Sequence, residues 1–154
     1  MMEHAKSFSL FLVVGILATL LTNWLQSTFI FDFLSANLIT LLIALVAINT
    51  TTLSVVLTKI REITDKIGGN FSNTAKEMKV SITEQVILII VTAITQVMAG
   101  SPLVTSSFPS MHFVSSVILI GVFSYSLYIL YDTANSVFVI LQFENSISKD
   151  KNGK

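Results

Sequence analysis

Cysteine is absent from this chain, which excludes disulfides and thiolate metal sites and leaves the redox compartment open. Charge is scarce. Only 12% of the 154 residues are Asp, Glu, Lys or Arg, where a water-soluble domain carries about a quarter. Hydrophobic residues make up 53% and the mean hydropathy is +0.79, so there is too little polar material to cover a soluble surface and the expected solvent is lipid. The formal net charge of zero gives no sign of a nucleic-acid partner.

What the chain does have is long uncharged runs: Ser7 to Phe31, Phe33 to Thr58 and Gln85 to Tyr131. About 20 apolar residues cross a bilayer. The first two runs are each one span long, and the third is long enough for two, broken by Gly100, Ser101, Pro102 and Pro109. The expected fold is therefore all-α: a four-transmembrane-helix bundle with spans at about 8–30, 34–58, 85–104 and 111–131. Outward loops are expected around Asp32 to Ala36 and Gly100 to Ser110. The first run continues past Trp24 without a small-x-small cleavage pattern, so it reads as a retained anchor rather than a signal peptide.

The cations give the orientation. Lys6 precedes the first span, Lys59, Arg61, Lys66, Lys76 and Lys79 lie between spans two and three, and Lys149, Lys151 and Lys154 end the chain. The positive-inside rule then predicts that both termini and the central segment are cytoplasmic.

Span two carries the most distinctive pattern. Asn37, Thr40, Ala44, Ala47, Thr51, Ser54 and Thr58 recur at alternating spacings of three and four, a small and polar stripe suited to close helix packing. Asn49 falls on roughly the opposite side. Polar groups on two faces predict protein on both, which makes span two the candidate for the bundle centre or for the contact between copies of a homo-oligomer. Weaker stripes occur at Gly15, Ala18, Thr22 and Gln26, at Thr92, Gln96 and Ala99, and at Gly121, Ser124 and Tyr128. Helix packing is the main reading of these residues, and lining of a water-filled path is the alternative.

Between spans two and three, Ile60, Ile63 and Ile67 repeat on one face, Gly68-Gly69-Asn70 breaks the pattern, and Ser72 or Asn73 can cap a second helix carrying Phe71, Ala75, Met78 and Ile82. A cytoplasmic helical hairpin over 59–84 is expected, its cations Lys59, Arg61, Lys66, Lys76 and Lys79 facing lipid headgroups or a cytosolic partner. Tyr125, Tyr128 and Tyr131 read as an aromatic belt. Val137, Phe138, Leu141 and Phe143 continue an apolar stripe, and residues 146–154 read as a disordered tail after a single membrane domain over 1–145.

No H-E-x-x-H, P-loop, G-x-S-x-G or glycine-rich dinucleotide pattern is present. His4 and His112 fall on opposite sides of the membrane in this topology, so neither a metal nor a cofactor is expected, and neither is enzymatic activity. No charged side chain lies deep in a span, which counts against a proton-coupled exchanger.

In its length, inward termini, small-residue span two running into Lys59-Ile60-Arg61-Glu62, and polar tail, the chain resembles the small four-span membrane proteins of phage exclusion, the RexB-like group. It is also similar to the membrane subunit of Kiwa-type defence systems. The resemblance implies a bacterial inner-membrane protein of antiviral defence, acting as an oligomeric depolarising pore or as an anchor that docks a cytosolic defence partner. An accessory subunit of a channel or transporter is the remaining alternative. The resemblance carries over no site residue.

Overall fold

The computed structural model describes the backbone of residues 2–67 and 72–152 and the side chains of 9–65 and 73–140. Five helices follow one another: α1 (Met2–Trp24), α2 (Phe29–Ile67), α3 (Ser72–Ala99), the short α4 (Pro102–Ser107) and α5 (Met111–Asn152). Among the described residues there is no strand. α2, α3 and α5 are each long and apolar enough to cross a membrane, and the apolar part of α1, Ser9–Trp24, is shorter. This is the make-up of a membrane protein. The exposed surface agrees with that, since Leu17, Trp24, Val97, Leu103 and many other large apolar side chains point outward.

The turn between the first two helices falls earlier than the expected outward loop at Asp32 to Ala36. α1 stops at Trp24, and residues 25–28 reverse the chain. Ser27 donates its N–H to the Thr22 carbonyl (3.0 Å) and Gln26 donates to Asn23 (3.1 Å). These are the paired bonds that close a helix when the residue past its end is left-handed. Gln26 is that residue, with φ at 51°. Asp32 is consequently inside α2, in its first turn, where a negative charge complements the helix N-terminus.

α2 continues unbroken from its apolar segment into the basic segment and ends at Ile67, before the glycine pair; α3 begins at Ser72. Gly68, Gly69, Asn70 and Phe71 lie outside the described residues. The two arms of the expected hairpin are thus extensions of α2 and α3 themselves. Ile60 and Met78 are buried together with Leu53 and Val56 in one apolar cluster, to which Val137 and Ile140 of α5 add. At the other end of the chain the backbone of α5 is helical to Asn152. After Gly121 no glycine or proline interrupts α5 before Gly153.

The central helix is α5 rather than span two. α5 packs against α1, α2 and α3. Half of its most apolar window is buried, against 17% for α2 and 22% for α3. Leu34, Leu38 and Leu42 of α2 and Leu88 of α3 meet Leu119, Ile120, Val122 and Ile129 of α5 in the main core. α1 docks on α5 through two glycines. A Cβ added to Gly15 would overlap the Val117 carbonyl oxygen, and one added to Gly121 would lie 3.2 Å from the Phe11 carbonyl oxygen. Such a crossing brings two backbones into contact, which is how helices gain packing energy where lipid supplies no hydrophobic drive.

Candidate functional site

The residues singled out on α2 separate into two faces. Leu34, Leu38, Leu42, Asn49, Leu53, Val56, Ile60 and Ile63 form the buried side, at spacings that keep one face of a 3.6-residue helix inward. Asn37, Thr40, Ala44, Ala47, Thr51, Ser54 and Thr58 are all exposed. The small and polar stripe therefore faces away from the chain's own core along the length of the apolar helix.

Most of the stripe's polar side chains bond back to their own helix. Thr51 donates its hydroxyl to the Ala47 carbonyl (2.9 Å), Ser54 to Thr50 (2.8 Å) and Thr58 to Ser54 (3.0 Å), while the Asn37 amide donates to Phe33 (2.9 Å). These three hydroxyls are turned back onto the helix, and their side chains lie on its exposed face. The face presents oxygen acceptors and small side chains, and no charge from Asn37 to Thr58.

Asn49 faces inward and is fully buried. Its Nδ2 donates to Gln85 Oε1 at 3.1 Å and lies 3.4 Å from Ser81 Oγ, joining α2 to α3. Gln85 is equally buried. Asn49 Oδ1 and Gln85 Nε2 have no hydrogen-bond partner, so the two amides make one of the two bonds that a reciprocal pair can make. Gln85 is the partner that the sequence reading overlooks. Its signal is an amide at the edge of an apolar run, since a polar side chain at membrane depth calls for another on a facing helix.

Thr92 and Gln96 of α3 also turn inward and do not join the α2 stripe. Thr92 is buried and donates to the Leu88 carbonyl (2.8 Å); Gln96 Nε2 donates to the Ser35 carbonyl (3.0 Å), a second tie between α3 and α2. Arg61, Lys76 and Lys79 are exposed on the hairpin, and Lys59 pairs with Glu62 one turn on at 2.8 Å. The Lys66 side chain lies outside the described residues.

The expected aromatic belt divides as well. Tyr131 is 69% exposed, as a belt residue should be, whereas Tyr125 is 4% exposed and donates its hydroxyl to Glu84 Oε2 at 3.1 Å. Phe11 of α1 packs against Tyr125 and Tyr128 with ring centroids 5.6 and 5.3 Å away. At the other end of α5, His112 is exposed and its ring lies 4.2 Å from that of Phe31.

No family model matches the chain, and no curated protein or solved structure matches it either.

Proposed function

We propose that the chain is a four-span inner-membrane protein whose copies meet through the outward face of α2 and enclose an ion-conducting path, so that assembly depolarises the membrane. The observation that carries this reading is the direction of the stripe. Seven small or polar positions point away from a core that is complete without them. Small side chains permit close approach of a second helix, and hydroxyl oxygens on that face can replace part of a cation's hydration shell where the stripe meets water. α1 supplies the fourth span, and the positive-inside rule puts the basic hairpin in the cytoplasm. The resemblance to exclusion proteins gives such a pore a setting in antiviral defence.

Reconstitution tests the reading. Purified chain in liposomes should dissipate a potassium gradient, and Thr51→Leu with Ser54→Leu should abolish the flux while the protein stays folded and membrane-inserted. Liposomes that stay tight at every protein-to-lipid ratio would overturn the pore. A single cysteine placed at Thr51, in this cysteine-free chain, should cross-link between copies. Its failure to do so would overturn the α2 interface.

A second reading, docking of a cytosolic defence partner, is favoured by the charges of the hairpin, since Arg61, Lys76 and Lys79 all face outward. The hairpin's isoleucines do not support it, because Ile60 and Ile63 are buried within the chain itself. Charge reversal at Arg61, Lys76 and Lys79 should release a co-purifying soluble protein if this reading holds.

A further inference from the structure

The α1–α2 turn, the first turns of α2 and all of α4 lie at one end of the bundle. Gln96, near the end of α3, donates to the Ser35 carbonyl at 3.0 Å, and the Phe31 and His112 rings are 4.2 Å apart, which sets the beginnings of α2 and α5 level with the end of α3. This end is nearly free of charge. Asp32 is the only Asp, Glu, Lys or Arg in residues 7–58 and 85–131, whereas Arg61, Lys76 and Lys79 stand exposed at the opposite end. Its outside is apolar instead. Trp24 is 80% exposed, Phe29 72%, Leu103 81% and Phe108 66%, and Leu25 and Phe33 are exposed as well. Phe29 and Phe33 stack on one another along the surface of α2, with centroids 6.3 Å apart and 18° between the planes.

α4 buries none of its residues, so its apolar side chains are not there to fill the chain's own core. A helix rich in serine and threonine would ordinarily offer hydroxyls to water. Here they are returned to the segment's own backbone: Thr105 donates to the Ser101 carbonyl (3.1 Å), and Ser106 and Ser107 donate to that of Leu103 (3.1 and 2.9 Å). The Phe108 N–H donates to Val104 and the Met111 N–H to Phe108, both at 2.9 Å, and the α1–α2 turn is closed by the Gln26 and Ser27 bonds. Polar groups satisfied within the segment and large apolar side chains turned outward are what a membrane interface demands of a chain that rests in it.

We propose that this end of the bundle is seated in the headgroup–acyl boundary of the bilayer, with Trp24, Phe29, Leu103 and Phe108 as its lipid contacts, and that α4 is an interfacial helix rather than a water-exposed loop. Indole and other aromatic rings favour that depth. No cation is present there to attract anionic headgroups, so the attachment is apolar and not electrostatic. The proposal rests on α2, α3 and α5 crossing the membrane and stands apart from assembly through the α2 stripe, which contributes none of these contacts.

Trp24 is the only tryptophan, which makes the full chain its own probe in phosphatidylcholine proteoliposomes. Its emission should be shifted to the blue of indole in water, and lipid brominated near the headgroup end of the acyl chain should quench it more than lipid brominated near the methyl end. Trp24→Phe with Phe108→Trp moves the reporter to the end of α4 and should give the same order of quenching. Trp24→Phe with Leu103→Trp serves if that variant misfolds. Added salt or phosphatidylglycerol should leave both reporters unchanged, and a salt-dependent depth would overturn the apolar attachment. Quenching of the α4 reporter by aqueous acrylamide and by neither brominated lipid would overturn the proposal in favour of water. Protection from every quencher would overturn it in favour of a protein cover, such as a second copy, and stronger quenching from the methyl end would overturn the interfacial depth.

Discussion

Gly15 of α1 and Gly121 of α5 lie against each other at the crossing of the two helices, with a Cβ on Gly15 only 3.2 Å from the Gly121 backbone nitrogen. The same Cβ would overlap the Val117 carbonyl oxygen, and backbone cannot step aside as a flexible side chain can. Alanine favours a helix interior over glycine by about 1 kcal/mol, whereas overpacking costs about 1–3 kcal/mol. At Gly15 the clash should win. Gly15→Ala is expected to lower unfolding stability in detergent by about 1–2 kcal/mol. At Gly121 the nearest atoms are 3.2 and 3.3 Å away and one belongs to the Leu12 side chain, so Gly121→Ala should be close to neutral. Chemical denaturation followed by circular dichroism distinguishes the two.

The half-made amide pair gives a second expectation. Asn49→Leu removes the donor to Gln85 and leaves two buried polar groups on Gln85 unmatched, at a cost of about 1–3 kcal/mol. The double change Asn49→Leu with Gln85→Leu removes both partners and should recover most of that loss. A thermal-unfolding double-mutant cycle checks this, and a double variant less stable than both singles would contradict it.

Gln26 holds a left-handed backbone conformation with a side chain that disfavours it. Gln26→Gly should raise stability by roughly 0.5–1 kcal/mol by relieving that strain. Gln26→Val, branched at Cβ, should lower it. Melting temperatures in one detergent, compared with the wild type, test both directions.

On the α2 stripe the Thr51 and Ser54 hydroxyls bond their own helix, so removing them should hardly disturb the fold. Thr51→Val and Ser54→Ala are expected to change unfolding stability by less than about 0.5 kcal/mol. Any effect they have on ion flux or on cross-linking between copies would then come from the outward face and not from misfolding.

How far these features were legible follows from what each one depends on. Continuation of α2 through Lys59 and Arg61 could be read because Ile60 and Ile63 keep a helical spacing, and the break near Gly68 could be read because glycine punctuates locally. The first turn could not. No glycine or proline marks residues 24–36, and the one charge there, Asp32, drew the expected loop several residues too late. Sequence could show that α2 has a small, polar stripe but not which way it faces, because inward packing and outward presentation share one periodicity. Gln85, Glu84 and Ser81 acquire their roles only from partners 32 to 41 residues distant in the chain.

α2 is 39 residues in one piece, close to 60 Å at 1.5 Å per residue, of which a bilayer takes up about 30 Å. Whatever seizes the Phe29 end of this rod moves the Ile67 end with it, since no hinge intervenes. A rocking of about 10° around the membrane midplane would carry the Ile67 end sideways by several ångströms. The helix is therefore a lever, and an event at either end is mechanically reported at the other.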